Sequence, residues 1–228
     1  MIERLCRLLF MCGIAGILDL ENTGQLDYSN QLLKLMLNNI RHRGPDDRGE
    51  ERISCGKLPI LHLGHQRFSI IDLSPAGHQP MANDDKSIWI STNSEIYNFR
   101  ELRQELSPYF HFKSQSDTEV LLKSYEYWGL ECFDKLRGMF AFAIWDSIKK
   151  RLWIVRDRLG IKPLVYFGHS RGFAFASDLN ALSRHPSFSK DIDIDSLLLF
   201  FTLAYIPTPR TIWKNAKKLP PGHWILIE

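Results

Sequence analysis

The chain has 228 residues, of which 44% are hydrophobic and 24% are charged. These are the proportions of an ordinary globular protein, so a disordered, collagen-like or coiled-coil chain is excluded. Its 29 Lys and Arg against 26 Asp and Glu leave a net charge of +3, too small and too evenly spread to predict a nucleic-acid partner. No apolar run approaches the roughly 20 residues that span a bilayer, so no membrane partner is expected.

The amino terminus has two interpretations. A basic start followed by apolar residues is typical of a secretion signal, but Arg7 interrupts the apolar stretch and Met11 stands where a lipoprotein signal needs a small residue. We therefore favour Met11 as the initiator methionine, with residues 1–10 an over-predicted start or a propeptide and Cys12 the first residue after processing. In the alternative, Cys12 is a small apolar residue that begins a strand over residues 13–20.

The rest of the chain predicts helices near both ends and strands between them. Apolar residues at helical spacing and a Ser116–Glu119 capping-box pattern identify the helices, while alternating or continuous apolar runs around short polar turns identify antiparallel hairpins. The predicted helices are 27–41, 99–106, 116–128 and 196–203. The predicted strands are 58–71, 87–91, 139–146, 151–157, 164–168 and 172–176. Strands clustered between helices predict an α+β fold.

Cysteine and histidine spacing predicts no metal site. Four cysteines without a CxxC pattern argue against a disulfide framework and favour reduced thiols in a cytoplasmic protein. They are Cys6, Cys12, Cys55 and Cys132. His62 and His65 form the only close histidine pair, and nothing nearby completes a ligand set. A terminal Cys12 would instead carry a nucleophile and, in its own α-amine, a base that titrates near ~7.7–8.0.

Nine blocks in order give the sequence a specific resemblance. They read MCGIAGI, HRGPDDRGE, GHQRFSIIDLSPAGHQPM, NSEIYNFRELRQEL, SDTEVLLKSYEYWG, LRGMFAFAIWD, RDRLGIKPL, FAFASDLNAL and KKLPPGH. Together they resemble the glutamine-amidotransferase half of bacterial glutamine-dependent asparagine synthetase, from Met11 to about the end of the chain. The resemblance implies a four-layer αββα sandwich of two antiparallel sheets between helices, as in hydrolases with an N-terminal nucleophile.

The resemblance also implies a role for each matching residue. Cys12 matches the nucleophile that releases ammonia from glutamine, Asn93 matches the side-chain oxyanion donor, and Ser94 stands where the family has a glycine whose backbone N–H also donates. Four positions match residues that hold the substrate: Arg67, Ile70, Glu95 and Asp117. From sequence alone, Arg67 could equally form an ordinary ion pair, Asn93 a turn, Ile70 a strand position and Asp117 a helix start.

Two departures from the family pattern bear on activity. Serine at position 94 would cause trouble if its backbone needed a positive φ or left no room for a Cβ, so that Ser94→Gly is expected to raise turnover. The family also continues into an ATP-dependent synthetase domain with a Ser-Gly-Gly loop, whereas this sequence contains no Gly-Gly. We expect ATP and Mg²⁺ only in that absent domain, and no cofactor in this chain.

The expected organisation follows from these comparisons of motifs. Residues 11–195 form the glutaminase domain, and residues 196–228 form a bridge toward the synthetase domain. The expected partners are L-glutamine and a synthetase domain or partner chain, with a homodimer left open. Two alternatives remain: a non-catalytic remnant or assembly domain, and an amidotransferase domain that feeds another acceptor.

Overall fold

A computed structural model describes residues 11–20, 26–54 and 58–228. The predictions that concern residues 1–10 and Cys55 lie outside the described residues.

Within the described ranges, the strands form two antiparallel sheets. The six-stranded sheet has the order β10-β8-β9-β1-β3-β2 and the five-stranded sheet the order β11-β7-β6-β5-β4. The strands are β1 Gly13–Asp19, β2 Asp47–Ser54, β3 Ile60–Arg67, β4 Met81–Ala82, β5 Ile88–Ile96, β6 Gly138–Asp146, β7 Arg151–Arg156, β8 Val165–His169, β9 Gly172–Ala176, β10 Lys217–Lys218 and β11 Trp224–Ile227. The helices are α1 Leu26–Asn39, α2 Phe99–Leu106, α3 Asp117–Trp128, α4 Cys132–Lys135, α5 Leu179–Leu182 and α6 Ile194–Leu203.

Three apolar clusters stack these elements into four layers. One cluster joins α1 and α5 to the six-stranded sheet, with Met36 and Phe167 fully buried in it. A second lies between the two sheets around Trp145 and Phe175. The third joins the five-stranded sheet to α2, α3 and α4 around Phe142 and Leu121. Helix, sheet, sheet and helix therefore follow one another, which confirms the predicted αββα sandwich.

The strands predicted at 139–146 and 151–157 agree with β6 and β7 to within one residue. The strand predicted at 87–91 continues to Ile96 in β5, and the strand predicted at 58–71 is observed as β3 over Ile60–Arg67 only. The helix predicted at 99–106 is observed with those bounds, and Ser116 caps α3 by accepting a hydrogen bond from the Glu119 backbone N–H at 3.2 Å. The capping box is only half formed, because the Glu119 carboxylate accepts hydrogen bonds from the backbone N–H groups of Lys113 and Ser114 instead. The bond that would complete the capping box, from the Ser116 backbone N–H to the Glu119 carboxylate, is therefore not formed.

Two further features concern the surface. Helix α6 leaves apolar side chains in solvent, with Phe201 76% exposed and Leu198 60% exposed. No helix among the described residues has the length and apolar character to cross a membrane.

Candidate active site

Cys12 lies where β1 begins, beside the end of β3. The register of these strands places Gly13 opposite Gln66, so Cys12 meets the chain just after β3. Its Sγ accepts a hydrogen bond from the Phe68 backbone N–H at 3.3 Å and lies 3.5 Å from the Phe68 carbonyl oxygen. The Arg43 Nε donates to the Cys12 carbonyl at 3.2 Å. The thiol is thus held at the meeting point of two paired strands.

A small cavity opens beside the Cys12 side chain. It encloses about 40 Å³, room for one or two water molecules. Six of the seven residues predicted for the site line it: Cys12, Arg67, Ile70, Ser94, Glu95 and Asp117. Asn93 is the exception. The six-stranded sheet supplies the sulfur and Arg67, while β5 and the start of α3 supply the carboxylates.

Arg67 is buried and tied to the segment that covers the cavity. Its Nη1 donates to the Ser74 carbonyl at 2.9 Å, and its Nη2 donates to the Asp72 carbonyl. Gly77 packs against the guanidinium so closely that a Cβ there would collide with it. Two of the five N–H groups of the guanidinium are used in these bonds, which leaves three for a ligand. The surface ion pair considered from sequence is absent from the described residues.

Asp117 is the first residue of α3 and its carboxylate faces β5. Its Oδ2 accepts hydrogen bonds from the Ile96 backbone N–H at 3.0 Å and from the Ser94 hydroxyl at 3.2 Å. Asp117 therefore both begins α3 and contributes its carboxylate to the site, so the two interpretations of this residue are compatible.

Ser94 is accommodated without strain. It lies inside β5 and does not belong to the residues with positive φ, so the backbone difficulty expected from replacing glycine does not occur. Its hydroxyl gains a carboxylate partner in Asp117 instead. The positive-φ part of the concern about Ser94 is therefore removed.

Asn93 is buried inside β5, between the cavity-lining residues Thr92 and Ser94, so the turn considered from sequence is not formed. It is 1% exposed, and its Nδ2 has no hydrogen-bond partner among the described residues. An unpaired buried amide N–H costs free energy. Beside it, His65 reaches across the sheets to bond the Thr92 carbonyl at 3.0 Å and fixes this part of β5.

The remaining predicted residues lie at the mouth of the cavity. Ile70 is 54% exposed in the segment after β3, so it is a loop position rather than a strand position. Glu95 is half-buried on β5. His62 and His65 occupy opposite faces of β3, where His62 bonds Asn30 and His65 bonds Thr92, so they do not form a pair.

Burial favours the neutral forms of the ionisable side chains in the site. It raises the pKa of the Cys12 thiol to about 11, with the carboxylates of Asp117 and Glu95 adding to the rise and the Phe68 N–H and the Lys162 ammonium opposing it. Burial also raises the pKa of Asp117 and of Glu95. At neutral pH the sulfur is therefore protonated and needs a base before it can attack.

Sequence reasoning missed Lys162. Its side chain is 4% exposed, and its charge acts on Cys12 and Glu95. The block RDRLGIKPL contains it, but a lysine between Gly160 and Pro163 has the local pattern of an exposed loop. Only the packing of the two sheets reveals its burial.

The αββα sandwich, with a cysteine at a cavity between its sheets, is assigned to a family by comparison with known proteins. The chain belongs to the family described as the glutamine amidotransferase domain, whose model matches residues 11–228. Among solved structures, glutamine phosphoribosylpyrophosphate amidotransferase from Bacillus subtilis shares the fold, with a TM-score of 0.63 and 20% identity over 75% of this chain and 43% of that one.

More particular relatives are asparagine synthetases. The chain is 39% identical to asparagine synthetase [glutamine-hydrolyzing] 3 of Bacillus subtilis, over 93% of this chain and 34% of the relative. It is 37% identical to the putative asparagine synthetase [glutamine-hydrolyzing] 2 of Methanocaldococcus jannaschii, over 92% of this chain and 42% of the relative. The chain thus spans only the amidotransferase part of these relatives, about a third of their length.

Proposed function

We propose that this chain is the glutaminase part of an enzyme that amidates aspartate to asparagine. The observation that carries the proposal is the convergence of Cys12, Arg67, Glu95 and Asp117 on one cavity. The unpaired Asn93 amide belongs to the residue between Thr92 and Ser94, which both line it. Nucleophile, substrate-holding charges and an oxyanion donor are the groups that acyl transfer requires.

In the proposed reaction, the Cys12 sulfur attacks the side-chain amide carbon of glutamine. A sulfur–carbon bond forms and the carbonyl oxygen becomes an oxyanion, toward which Asn93 donates its free N–H. The carbon–nitrogen bond then breaks, and the nitrogen leaves as ammonia with the proton taken from the thiol. Water attacks the resulting thioester, which releases glutamate and restores the thiol.

The base in this scheme is the α-amine that Cys12 acquires once the chain begins with it. An α-amine titrates near ~7.7–8.0, so at neutral pH a fraction of it is neutral and can accept the thiol proton as the sulfur attacks. While Met11 is attached, the nitrogen of Cys12 is an amide and cannot accept the proton. Processing between Met11 and Cys12 is therefore proposed as the activating event.

The charged residues hold the amino-acid end of glutamine. Arg67 has three free N–H groups for the α-carboxylate, a geometry that a guanidinium suits. Asp117 and Glu95 supply negative charge for the α-ammonium, and Ile70 contributes its loop backbone at the mouth.

The whole enzyme contains a second part. We propose that residues 196–228 lead to a synthetase domain or partner chain, which binds ATP and Mg²⁺ and receives the ammonia, and that the protein works in the cytoplasm. The exposed apolar face of α6, with Leu198 and Phe201, is the proposed contact. A homodimer through the same face is the alternative occupant.

The decisive experiment compares three proteins in a glutamine-hydrolysis assay. They are the full chain, a chain that begins at Cys12, and the latter with Cys12→Ser. We expect glutamate and ammonia release only from the second, at least about 10³-fold above the Cys12→Ser control. Intact mass of the protein expressed from its own gene shows which terminus exists naturally.

A non-catalytic domain is the second candidate, favoured by the amide-blocked, high-pKa thiol. Hydrolysis at the Cys12→Ser level from the chain that begins at Cys12 would establish it and contradict the glutaminase.

A further inference from the structure

Gln79 is a buried side chain whose amide oxygen and nitrogen are both hydrogen-bonded beside the candidate site. It is 5% exposed and lines the cavity next to Cys12. Its Oε1 accepts a hydrogen bond from the Thr92 backbone N–H at 2.7 Å, and its Nε2 donates to the Thr118 hydroxyl oxygen at 3.1 Å. One side chain therefore joins strand β5 to the beginning of helix α3.

The backbone of Thr92 is held by side chains on both of its polar groups. Strand β4 pairs with β5 near its beginning only, and farther along the Thr92 N–H donates to Gln79. The Thr92 carbonyl bonds His65 Nε2 at 3.0 Å. Because Asn93 is the next residue, these two contacts set the position of the backbone from which its unpaired amide extends.

A second link joins the same two elements on the other side of Asn93. The Asp117 Oδ2 accepts hydrogen bonds from the Ser94 hydroxyl at 3.2 Å and from the Ile96 backbone N–H at 3.0 Å. Thr118 directly follows Asp117 in α3, so both links leave the same helical turn. They reach β5 before and after Asn93, and they hold this stretch of β5 at a fixed separation from the Asp117 carboxylate.

We propose that Gln79 is a positioning residue for the oxyanion donor: it fixes the β5 backbone beside Asn93 relative to the start of α3, where Asp117 holds the substrate. A misplacement of about 1 Å can cost about 10²-fold in rate, so such a link matters for catalysis. The inference deepens the proposed glutaminase and rests on it for its catalytic meaning. Its structural content, the anchoring of the Thr92 backbone, is measurable without glutamine.

The first measurement follows the exchange of the Thr92 amide proton with solvent, by NMR on the isotope-labelled full chain. Gln79→Met keeps the length of the side chain and removes both hydrogen bonds. We expect Thr92 exchange to become at least about tenfold faster, because the amide has lost its acceptor.

The matched control is Gln66→Met. Gln66 is 2% exposed and donates to the Leu37 carbonyl at 3.1 Å, but it does not line the cavity. Removing this equally buried amide should leave exchange of the Thr92 amide proton within about twofold of the wild type.

The second measurement is the steady-state kinetics of glutamine hydrolysis in chains that begin at Cys12. We expect Gln79→Met to lower kcat about 10–10²-fold and to change KM less, because Asn93 then misses its productive position in the transition state. Gln66→Met should keep kcat within about threefold of the wild type.

Variants of Thr118 test the other end of the link. Thr118→Val keeps the shape of the side chain without the hydroxyl and should lower kcat, whereas Thr118→Ser keeps the hydroxyl and should retain most of the rate. In the double variant Gln79→Met/Thr118→Val the two losses should not multiply, because both substitutions break the same link.

Several outcomes overturn the proposal. Thr92 exchange in Gln79→Met within about twofold of the wild type contradicts it, as does equal acceleration in Gln66→Met. In an active enzyme, a kcat for Gln79→Met within about threefold of the wild type also contradicts it. If Gln79→Met does not fold, Thr118→Val and Thr118→Ser take its place, and equal Thr92 exchange in these two variants contradicts the proposal.

Failure of the proposed function gives a different result. If the wild-type chain that begins at Cys12 hydrolyses no glutamine while Gln79→Met accelerates exchange of the Thr92 amide, the glutaminase is wrong. The anchoring of the β5 backbone by Gln79 is then still established.

Discussion

Two polar regions of this molecule each contain a buried asparagine and a buried lysine, yet their environments are opposite. In the first, Asn83 donates to Ser87 and Glu126, and Lys123 pairs with Asp84 at 2.9 Å and Glu126 at 3.0 Å. We name Asn83, Asp84, Lys123 and Glu126 the paired cluster. Every buried side-chain donor there meets an acceptor.

In the second region, around Cys12, the corresponding groups are left without partners. The Asn93 Nδ2 has none among the described residues. Lys162, which is 4% exposed, forms no ion pair among the described residues. The contrast teaches that neither burial nor a missing partner identifies function alone, because Trp153 Nε1 is also buried without a partner among the described residues. What distinguishes Asn93 is its position between Thr92 and Ser94, which both line the cavity. Variants in the paired cluster should affect stability, and variants near Cys12 should affect chemistry.

The strongest way to break this comparison is to truncate both asparagines. In the chain that begins at Cys12, Asn93→Ala should lower kcat about 10²–10³-fold with little change in KM, because an oxyanion donor acts on the transition state. Asn83→Ala should leave kcat unchanged and lower the free energy of unfolding by about 1–3 kcal/mol, because it strands buried partners. Steady-state kinetics and urea unfolding measure the two. A lower kcat for Asn83→Ala would contradict the distinction between the two regions.

A second variant, Asp117→Asn, sharpens the comparison through pH. Loss of the charge should raise KM for glutamine at least about thirtyfold. The pKa of Asp117 is raised by burial, so its charged form opposes folding. The stability of the wild type relative to Asp117→Asn should therefore rise as pH falls through the Asp117 pKa and be lowest at alkaline pH.

Thermal unfolding of both proteins at a series of pH values checks this sign. Glu126→Gln in the paired cluster is the control, since its carboxylate has cationic and amide partners. A stability gap for Asp117→Asn that does not vary with pH would contradict the assignment of a penalised carboxylate.

The smallest expected effect belongs to Ser94→Gly. Loss of the hydroxyl removes one hydrogen bond from Asp117 and raises the Asp117 pKa further. We expect a KM increase of a few-fold below neutral pH and no gain in kcat, the reverse of the sequence-based expectation. The Ser94→Ala variant lacks the hydroxyl but keeps the Cβ. Comparing the kinetics of Ser94→Gly and Ser94→Ala at two pH values therefore separates loss of the hydroxyl from loss of the Cβ. A higher kcat for Ser94→Gly would indicate that the Cβ of Ser94 occupies space that the reaction needs.

The sequence predicted the central part of the fold better than its margins. The strands inside the sheets carry apolar runs, and β6 was found within one residue of its observed start. The strands that were missed include β2 and β11, each of which lies at the edge of a sheet. An edge strand pairs on one side only, and β2 reads DRGEERIS with mostly half-exposed residues, so it lacks the apolar pattern that identifies a strand.

The candidate site likewise contains residues that the sequence identified and residues that it did not. The resemblance identified, residue by residue, six of the residues that line the cavity, because its motifs occur in the same order along the chain. Lys162 was not identified although the block RDRLGIKPL contains it, since its burial depends on how the loop after β7 folds. Likewise, the pairing of the Ser94 hydroxyl with Asp117 depends on where α3 begins, which chain order does not specify.

The Arg156 side chain has a consequence for how the molecule opens. It donates to the carbonyls of Gly160, Lys162 and Leu219, so one guanidinium joins the loop before β8 to the chain just after β10. Backbone bonds from Gly222 to Asp157 and from Leu219 to Leu164 reinforce the junction. These two stretches form one cooperative unit, and their amide protons should exchange with solvent together rather than as separate loops.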